Sequence, residues 1–266
     1  MVKKKKGSKA RSLDKDSALY FRDKLREARY LALADSEGFP QICYAIESLG
    51  RYLTGKGHGL GDYYLALETI VHNSGYSSEI VSKKIGLFAE FGALYATLKA
   101  ARNDVMHSGV YARHATEAGI NLCLMLEEAL FVNIKRKNVS DFMIRNPVFV
   151  ESWHPVAFAR QLMLTHSFSF LPVQIGTEWK LLSELEMATY LFPHDGATRL
   201  EYLNKSIADA IKDDEGEFRL KLEKAVSFSL DCEVSSVLEN RKSSHSLWLV
   251  LDGERLLGVL SPFELM

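Results

Sequence analysis

The chain has 266 residues, 47% of them hydrophobic and 25% charged, with a formal net charge of −1. That is room for two ordinary domains with real cores. No apolar run approaches the roughly 20 residues that cross a bilayer, and no apolar segment follows the basic opening "MVKKKKGSKARS", as a signal peptide requires. Three cysteines (Cys43, Cys123 and Cys232) stand far apart in apolar surroundings, which argues against a disulfide framework or a zinc site. The cytoplasm is the expected location, with no membrane partner.

The charge is unevenly spread. Residues 1–138 hold 21 Lys and Arg against 15 Asp and Glu, a balance of +6, and residues 139–266 hold 12 against 19, a balance of −7. Six of the positives fall within residues 1–12, so this segment reads as a basic disordered tail. A basic first half also suits a polyanionic partner such as nucleic acid.

Residues 13–136 read as helices throughout. Phe21, Leu25, Ala28 and Ala32 recur at helical spacing from Ser17 to Ala34, with Asp16 or Ser17 as the N-cap. A second helix is expected over Phe39–Tyr52, a glycine-rich loop over "TGKGHGLG", and a third helix from Asp62 to about His72. Ser77 and Ser78 open a long segment ending near His107, with Gly109 placed to close it in the left-handed conformation. The fifth helix, from about Thr116 to Lys135, is apolar nearly all round and is expected at the centre. "KRKNVSD" reads as a linker.

After it the pattern changes. "NPVFVE", "SFSFLPVQI" and "EWKLLS" read as strands, with "PVAFARQLMLTH" and "SELEMATYLF" as helices. A helical, acidic stretch intervenes before the pattern returns. "CEVSSVLENRKSS" is a helical region, "HSLWLVLDGERLLGVLS" a strand–turn–strand across Asp252-Gly253, and "SPFELM" a closing helix. The expected fold is multidomain: an all-α bundle followed by an α/β unit of tandem βαββα repeats.

Residues 139–266 resemble a pair of cystathionine-β-synthase (CBS) motifs, through "DFMIRNPVFVESWHPVAFARQLMLTHSFSFLPV" in the first repeat and "LVLDGERLLGVLSPFELM" in the second. The resemblance implies an adenine nucleotide as regulatory ligand. It would be held where a Ser/Thr and an acid three residues later open the last helix of each repeat. Those positions are Ser183 with Glu186 and Ser261 with Glu264, glutamates standing where the family has aspartates. The hydroxyl and helix start would receive phosphate, and the acid would accept from ribose hydroxyls. Ser-x-x-Glu is also a plain capping box. Lys180 occupies the place that Gly258 has in the second repeat, where it crowds the cleft or binds a phosphate.

The first half resembles the HEPN superfamily of helical domains. The motif is Arg102-Asn103-Asp104-Val105-Met106-His107, at the exit of a long helix. The resemblance implies a metal-independent endoribonuclease, with no cofactor for catalysis, acting as a homodimer in which two Arg/His sets share one cleft. A toxin-like or antiviral-defence role is implied for such fusions. The chemistry suits the residue types. Histidine moves a proton to or from the 2′-hydroxyl or the leaving oxygen near neutral pH. Arginine grips the phosphate and offsets developing charge, and Asn103 orients the phosphate or the imidazole. Five residues separate side chains by about 140° on an ideal helix, so Arg102 and His107 meet only if the helix ends between them. The plain alternative makes them cations at a helix C-terminus, where the dipole favours positive charge. Tyr111 and His114 are secondary candidates, and no histidine pair has metal-ligand spacing.

The leading expectation is therefore an RNA-cutting homodimer gated by an adenine nucleotide. The alternative is a non-catalytic RNA- or protein-binding module with a nucleotide-sensing CBS pair. A third reading is a nucleotide-sensing regulator of a neighbouring enzyme or transporter.

Overall fold

The computed structural model describes residues 12–35, 38–55, 57, 59–83, 86–103, 109–132, 137–192, 196–212, 219–239 and 247–266. The chain divides into two units, Met1–Lys135 and Arg136–Met266. The basic segment 1–11 lies outside the described residues, and so does His107.

The first unit is helical: α1 (Lys15–Ala34), α2 (Phe39–Thr54), α3 (Leu60–Asn73), α4 (Phe91–Asn103) and α5 (Gly109–Phe131). Asp14 caps α1, accepting from the Ser17 backbone N–H at 2.8 Å. The cap therefore lies two residues before Asp16, because Asp14 is the position whose carboxylate reaches the free N–H groups of the first turn. Helix α5 packs against each of α1 to α4, as its all-round apolar sequence requires. Leu25, Ile42, Leu49, Leu67, Leu98, Leu122 and Leu126 are all fully buried in one core. Each such side chain contributes about 1.5–3 kcal/mol by leaving water.

Two expectations fail here. The long helix from Ser77 to His107 is broken: Ser77–Val81 forms a π-helical turn, and α4 begins only at Phe91. Gly86 lies between them at φ 87°, a backbone that no helix continues through. Leu87 and Phe88 kept the apolar rhythm in the sequence, yet they are 77% and 44% exposed. Gly109 likewise does not close a helix. It is the first residue of α5, which starts seven residues before the expected Thr116.

The second unit contains β1 (Ile144–Arg145), β2 (Val150–Glu151), α6 (Val156–His166), β3 (Phe170–Ile175), β4 (Glu178–Ser183), α7 (Glu184–Leu191), α8 (Gly196–Asn204) and α9 (Ile207–Ala210). It continues with β5 (Glu223–Lys224), β6 (Val226–Phe228), α10 (Val234–Glu239), β7 (Trp248–Asp252), β8 (Arg255–Leu260) and α11 (Pro262–Leu265). Among the described residues these strands make two four-stranded sheets, ordered β2-β3-β4-β5 and β1-β8-β7-β6. Each sheet takes its antiparallel edge strand from beside the other repeat. β1 pairs with β8, Ile144 opposite Val259, and β5 pairs with β4, Lys224 opposite Lys180. Neither repeat completes its sheet alone.

Period-2 alternation sends the two faces of β4 to different cores. Leu182 packs with Val150, Val173 and Met187 inside the first repeat, while Leu181 meets Leu249 and Val259 of the other sheet. The "KRKNVSD" stretch is only partly a linker. Asn138 and Asp141 form a capping box around a 3₁₀ turn, and Val139 is fully buried in the second repeat's core.

Candidate functional sites

Arg102 and Asn103 are the last two residues of α4, and both are exposed. The Arg102 Nη2 atom stands 2.6 Å from Glu47 Oε1 on α2. That oxygen has no hydrogen-bond partner of good geometry among the described residues, so the contact is one of charge rather than a well-aligned fork. The arginine side chain keeps 39% of its surface exposed and the glutamate 15%. Cys43, one turn before Glu47, feels both charges. Burial pushes its thiol up to about 12, with Arg102 pulling it down and Glu47 pushing it up. The Tyr95 hydroxyl, raised by burial and then by Glu47, donates to the Leu60 carbonyl at 2.6 Å.

The sequence reading missed Glu47. It is the only acid of α2, and that was the available signal. Its juxtaposition with Arg102 is set by helix packing alone. The motif's third member, His107, lies outside the described residues, so its distance to Arg102 forms no part of this geometry. His114 is exposed on α5, and the Tyr111 side chain lies outside what is described.

A second polar cluster was not foreseen. Arg22, Arg26 and Arg29, spaced four and three apart on α1, share one side of the helix with Glu127 of α5. Arg29 forks onto Glu127 through Nε at 3.0 Å and Nη2 at 3.2 Å. Arg26 Nε stands 3.9 Å from the same carboxylate. Arg22 is fully buried, lies over the Phe131 ring at 4.9 Å, and is lowered to about 10, first by burial and next by Arg26. Elsewhere in this unit a cavity of about 170 Å³ opens between α3 and the start of α4, lined by Glu68, His72, Ser77, Glu90 and Phe91 among others. It includes none of the predicted site residues.

In the second unit the two Ser-x-x-Glu positions behave differently. Ser261 is the N-cap of α11, and Glu264 turns back onto it. The Ser261 backbone N–H donates to Glu264 Oε2 at 2.7 Å and the Ser261 hydroxyl to the same oxygen at 2.6 Å. Glu264 is 7% exposed and α11 is a single turn. Ser183 is the N-cap of α7, which is twice as long, and its hydroxyl oxygen accepts from the Glu186 N–H at 3.2 Å. The Glu186 carboxylate does not return to Ser183, and it takes no hydrogen bond or ion pair among the described residues.

Lys180 and Gly258 are equivalent, each three residues before a capping serine. Lys180 lies in ion-pair contact with Glu178 at 3.1 Å and stands opposite Lys224 across the strand pair. Gly258 stands opposite Arg145. Among the described residues no group of three or more His, Cys, Asp or Glu is placed to hold a metal ion. Nor is any described helix long and apolar enough to cross a membrane.

No protein-family model matches the sequence, and no curated protein matches it. Solved structures similar to the C-terminal half include an acetoin utilization protein (AcuB) from Vibrio cholerae, at 13% identity and a TM-score of 0.38, covering 48% of this chain and 86% of that one. A CBS domain-containing protein from Bacillus anthracis matches at 16% identity and a TM-score of 0.37, covering 48% and 88%. A CBS domain pair solved with 5′-methylthioadenosine and S-adenosyl-L-methionine matches at 16% identity and a TM-score of 0.35, covering 48% and 91%.

Proposed function

We propose that residues 139–266 form a nucleotide-sensing CBS pair holding one adenine nucleotide in the cleft of its first repeat. In this reading the occupied pair sets the activity of a helical unit that cuts RNA. The observation that carries the sensing half is the difference between the two caps. A carboxylate that must accept from ribose hydroxyls has to be free of other partners, since a buried acceptor exchanges one hydrogen bond for another at little net gain. Glu186 meets that condition and Glu264 does not. Beside Glu186, the dipole at the start of α7 favours phosphate, while the Glu184 and Glu186 N–H groups donate to the Ser169 carbonyl and the Ser183 hydroxyl.

For the helical unit, an exposed arginine in the last turn of α4 supports a phosphate contact, with Asn103 beside it. Arg102 would draw the scissile phosphate and offset the charge of the pentacoordinate state, and His107 would carry the proton. Because the attacking oxygen is the RNA's own 2′-hydroxyl, the products would end in a 2′,3′-cyclic phosphate. The homodimer is part of this proposal, since one Arg/His set supplies one acid–base group. The second reading, a non-catalytic binding module, is favoured by the Arg102–Glu47 contact: a helix-end cation held by a neighbouring acid is ordinary structural electrostatics.

Incubation of the full chain with RNA in EDTA, with and without AMP, ADP, ATP or S-adenosylmethionine, separates the readings. Cutting that persists in EDTA, changes with one nucleotide and disappears in Arg102→Ala and His107→Ala supports the enzyme. Cutting of a 2′-deoxy substrate, or none at all by a folded and nucleotide-bound protein, sinks it.

A further inference from the structure

The break between α3 and α4 builds a cavity that neither proposed activity uses. Its floor is apolar: Val71 of α3, Val81 of the π-helical turn and Phe91 at the start of α4 are all buried. Rings on two sides hold Phe91, with centroids at 5.9 Å for Tyr64 and 5.6 Å for Tyr95. The π turn closes through the Ser82 N–H, which donates to the Ser77 carbonyl at 3.0 Å. Such wide backbone turns recur at functional sites. Ser77 lines the cavity, and its hydroxyl oxygen is buried without a hydrogen-bond partner among the described residues. A buried hydroxyl in that state costs stability unless something arrives to bond it. The rest of the polar lining is Glu68 and His72, one turn apart on α3, and Glu90 just ahead of Phe91. Glu68 accepts from the Tyr64 hydroxyl through Oε1, which leaves Oε2 open. The Glu90 and His72 side chains take no hydrogen bond or ion pair among the described residues. No Lys or Arg is among the described residues that line the cavity.

We infer that this cavity binds a small alkylammonium ion. The ammonium group meets the Glu68 and Glu90 carboxylates and the Ser77 hydroxyl, and the alkyl stem lies on Val71, Val81 and Phe91. Charge chooses the class: two carboxylates with no lysine or arginine beside them attract a cation and repel an anion. A bare metal ion is poorly served, because among the described residues no three His, Cys, Asp or Glu are placed to hold one. An ammonium with a hydrocarbon stem uses both halves of the lining. Its three N–H donors reach oxygens, while its methylenes cover the floor and its charge is near an aromatic face. The space sets the size. At about 170 Å³ it is close to the roughly 150 Å³ that holds one benzene molecule in an engineered cavity. A chain of about four to six carbons fits, whereas drug-sized ligands occupy sites of roughly 300 Å³ or more.

The test is calorimetry and saturation-transfer NMR of the full chain with n-butylammonium, n-butanol and butyrate, equal in chain length and matched in ionic strength. n-Butylammonium binds saturably, one per chain. n-Butanol binds about tenfold more weakly or worse, and butyrate does not bind. Glu90→Gln weakens n-butylammonium about tenfold. It leaves the melting temperature of the free protein in place, since Glu90 is exposed and bonds nothing described. Ser77→Ala weakens the amine too, yet leaves the free protein at least as stable, because the hydroxyl it removes had no partner. Equal affinity for n-butanol would reduce the cavity to an apolar hole, and a preference for butyrate would reverse its sign. No saturable binding of n-butylammonium, or parent-like binding in the Glu68→Gln, Glu90→Gln protein, overturns the site outright. The readout is amine binding alone, so the RNA and nucleotide readings stand or fall separately.

Discussion

A Cβ placed on Gly258 would stand 2.8 Å from the Ile144 carbonyl oxygen and 2.6 Å from Met143 Sδ. The backbone of β1 therefore approaches β8 at a distance that only glycine permits, and β1 is the strand lent from ahead of the first repeat. Gly258→Ala forces that edge apart, at the cost of about 1–3 kcal/mol typical of overpacking. Urea denaturation of the full chain reads this as an earlier midpoint. Lys180→Ala, at the equivalent place on β4, leaves the midpoint within about 0.5 kcal/mol because its side chain is partly in solvent. Equal effects at the two positions would show that the exchanged strand is not what Gly258 protects.

The caps predict unequal glutamates. Glu264→Ala removes an acceptor from the N–H and hydroxyl of Ser261, so it destabilises the unit by about 1 kcal/mol and leaves nucleotide binding in place. Glu186→Ala leaves the stability of the unliganded protein unchanged and abolishes the rise in melting temperature with nucleotide. Calorimetry on the parent gives one adenine nucleotide per chain. Two per chain, or a nucleotide response in Glu186→Ala equal to the parent's, contradicts the assignment of the first cleft.

Glu127 faces Arg26 and Arg29 at once, with its side chain 9% exposed. Removing it leaves two largely buried guanidiniums without that carboxylate, a loss of about 3–5 kcal/mol when a buried pair is broken from one side. Glu127→Gln loses less, because the amide oxygen still accepts from Arg29. Arg29→Ala also loses less, since Arg26 keeps the carboxylate company. The urea midpoint should therefore fall furthest for Glu127→Ala and less for Glu127→Gln and Arg29→Ala. A Glu127→Ala protein as stable as Arg29→Ala would mean that the cluster is solvated rather than sealed.

Local patterns were readable and distant partnerships were not. The apolar spacing of Phe21, Leu25, Ala28 and Ala32 located α1, and the strands around Pro172 and Asp252-Gly253 fell where alternation and turn residues put them. The break before Phe91 was hidden because Leu87 and Phe88 continue an apolar rhythm without burying anything. The exchange of β1 and β5 rests on two-residue strands whose register is fixed by partners far along the chain, Val259 for Ile144 and Lys180 for Lys224. The same holds at the site. Ser183, Glu186, Ser261 and Glu264 were found from spacing, but only the rotamers of the two acids separate a closed cap from an open one. Arg102 was found by motif, while Glu47 is brought to it across 55 positions by helix packing.

The buried thiols predict how stability responds to alkali. Burial pushes Cys43 from an ordinary 9.0 up to about 12 and raises Cys123, fully buried on α5, for the same reason. An acid whose folded value lies above its unfolded one keeps its proton in the native state after the unfolded chain has lost it. Above pH 9 the native state therefore binds more protons than the unfolded state, and unfolding free energy falls as pH rises. Each thiol contributes a slope of about 1.4 kcal/mol per pH unit in that window and none below it. Urea midpoints between pH 8 and 10.5 should stay level to about pH 9 and then decline. In the Cys43→Ala, Cys123→Ala protein the midpoint is lower throughout, since two sulfurs leave the core, but the decline is shallower. A thiol-reactive dye run alongside should label the half-buried Cys232 first, with the other two reacting only as the helical unit unfolds. An unchanged slope in the double variant, or early labelling of Cys43, would mean that the turn of α2 carrying Cys43, Tyr44 and Glu47 opens to water in the native state.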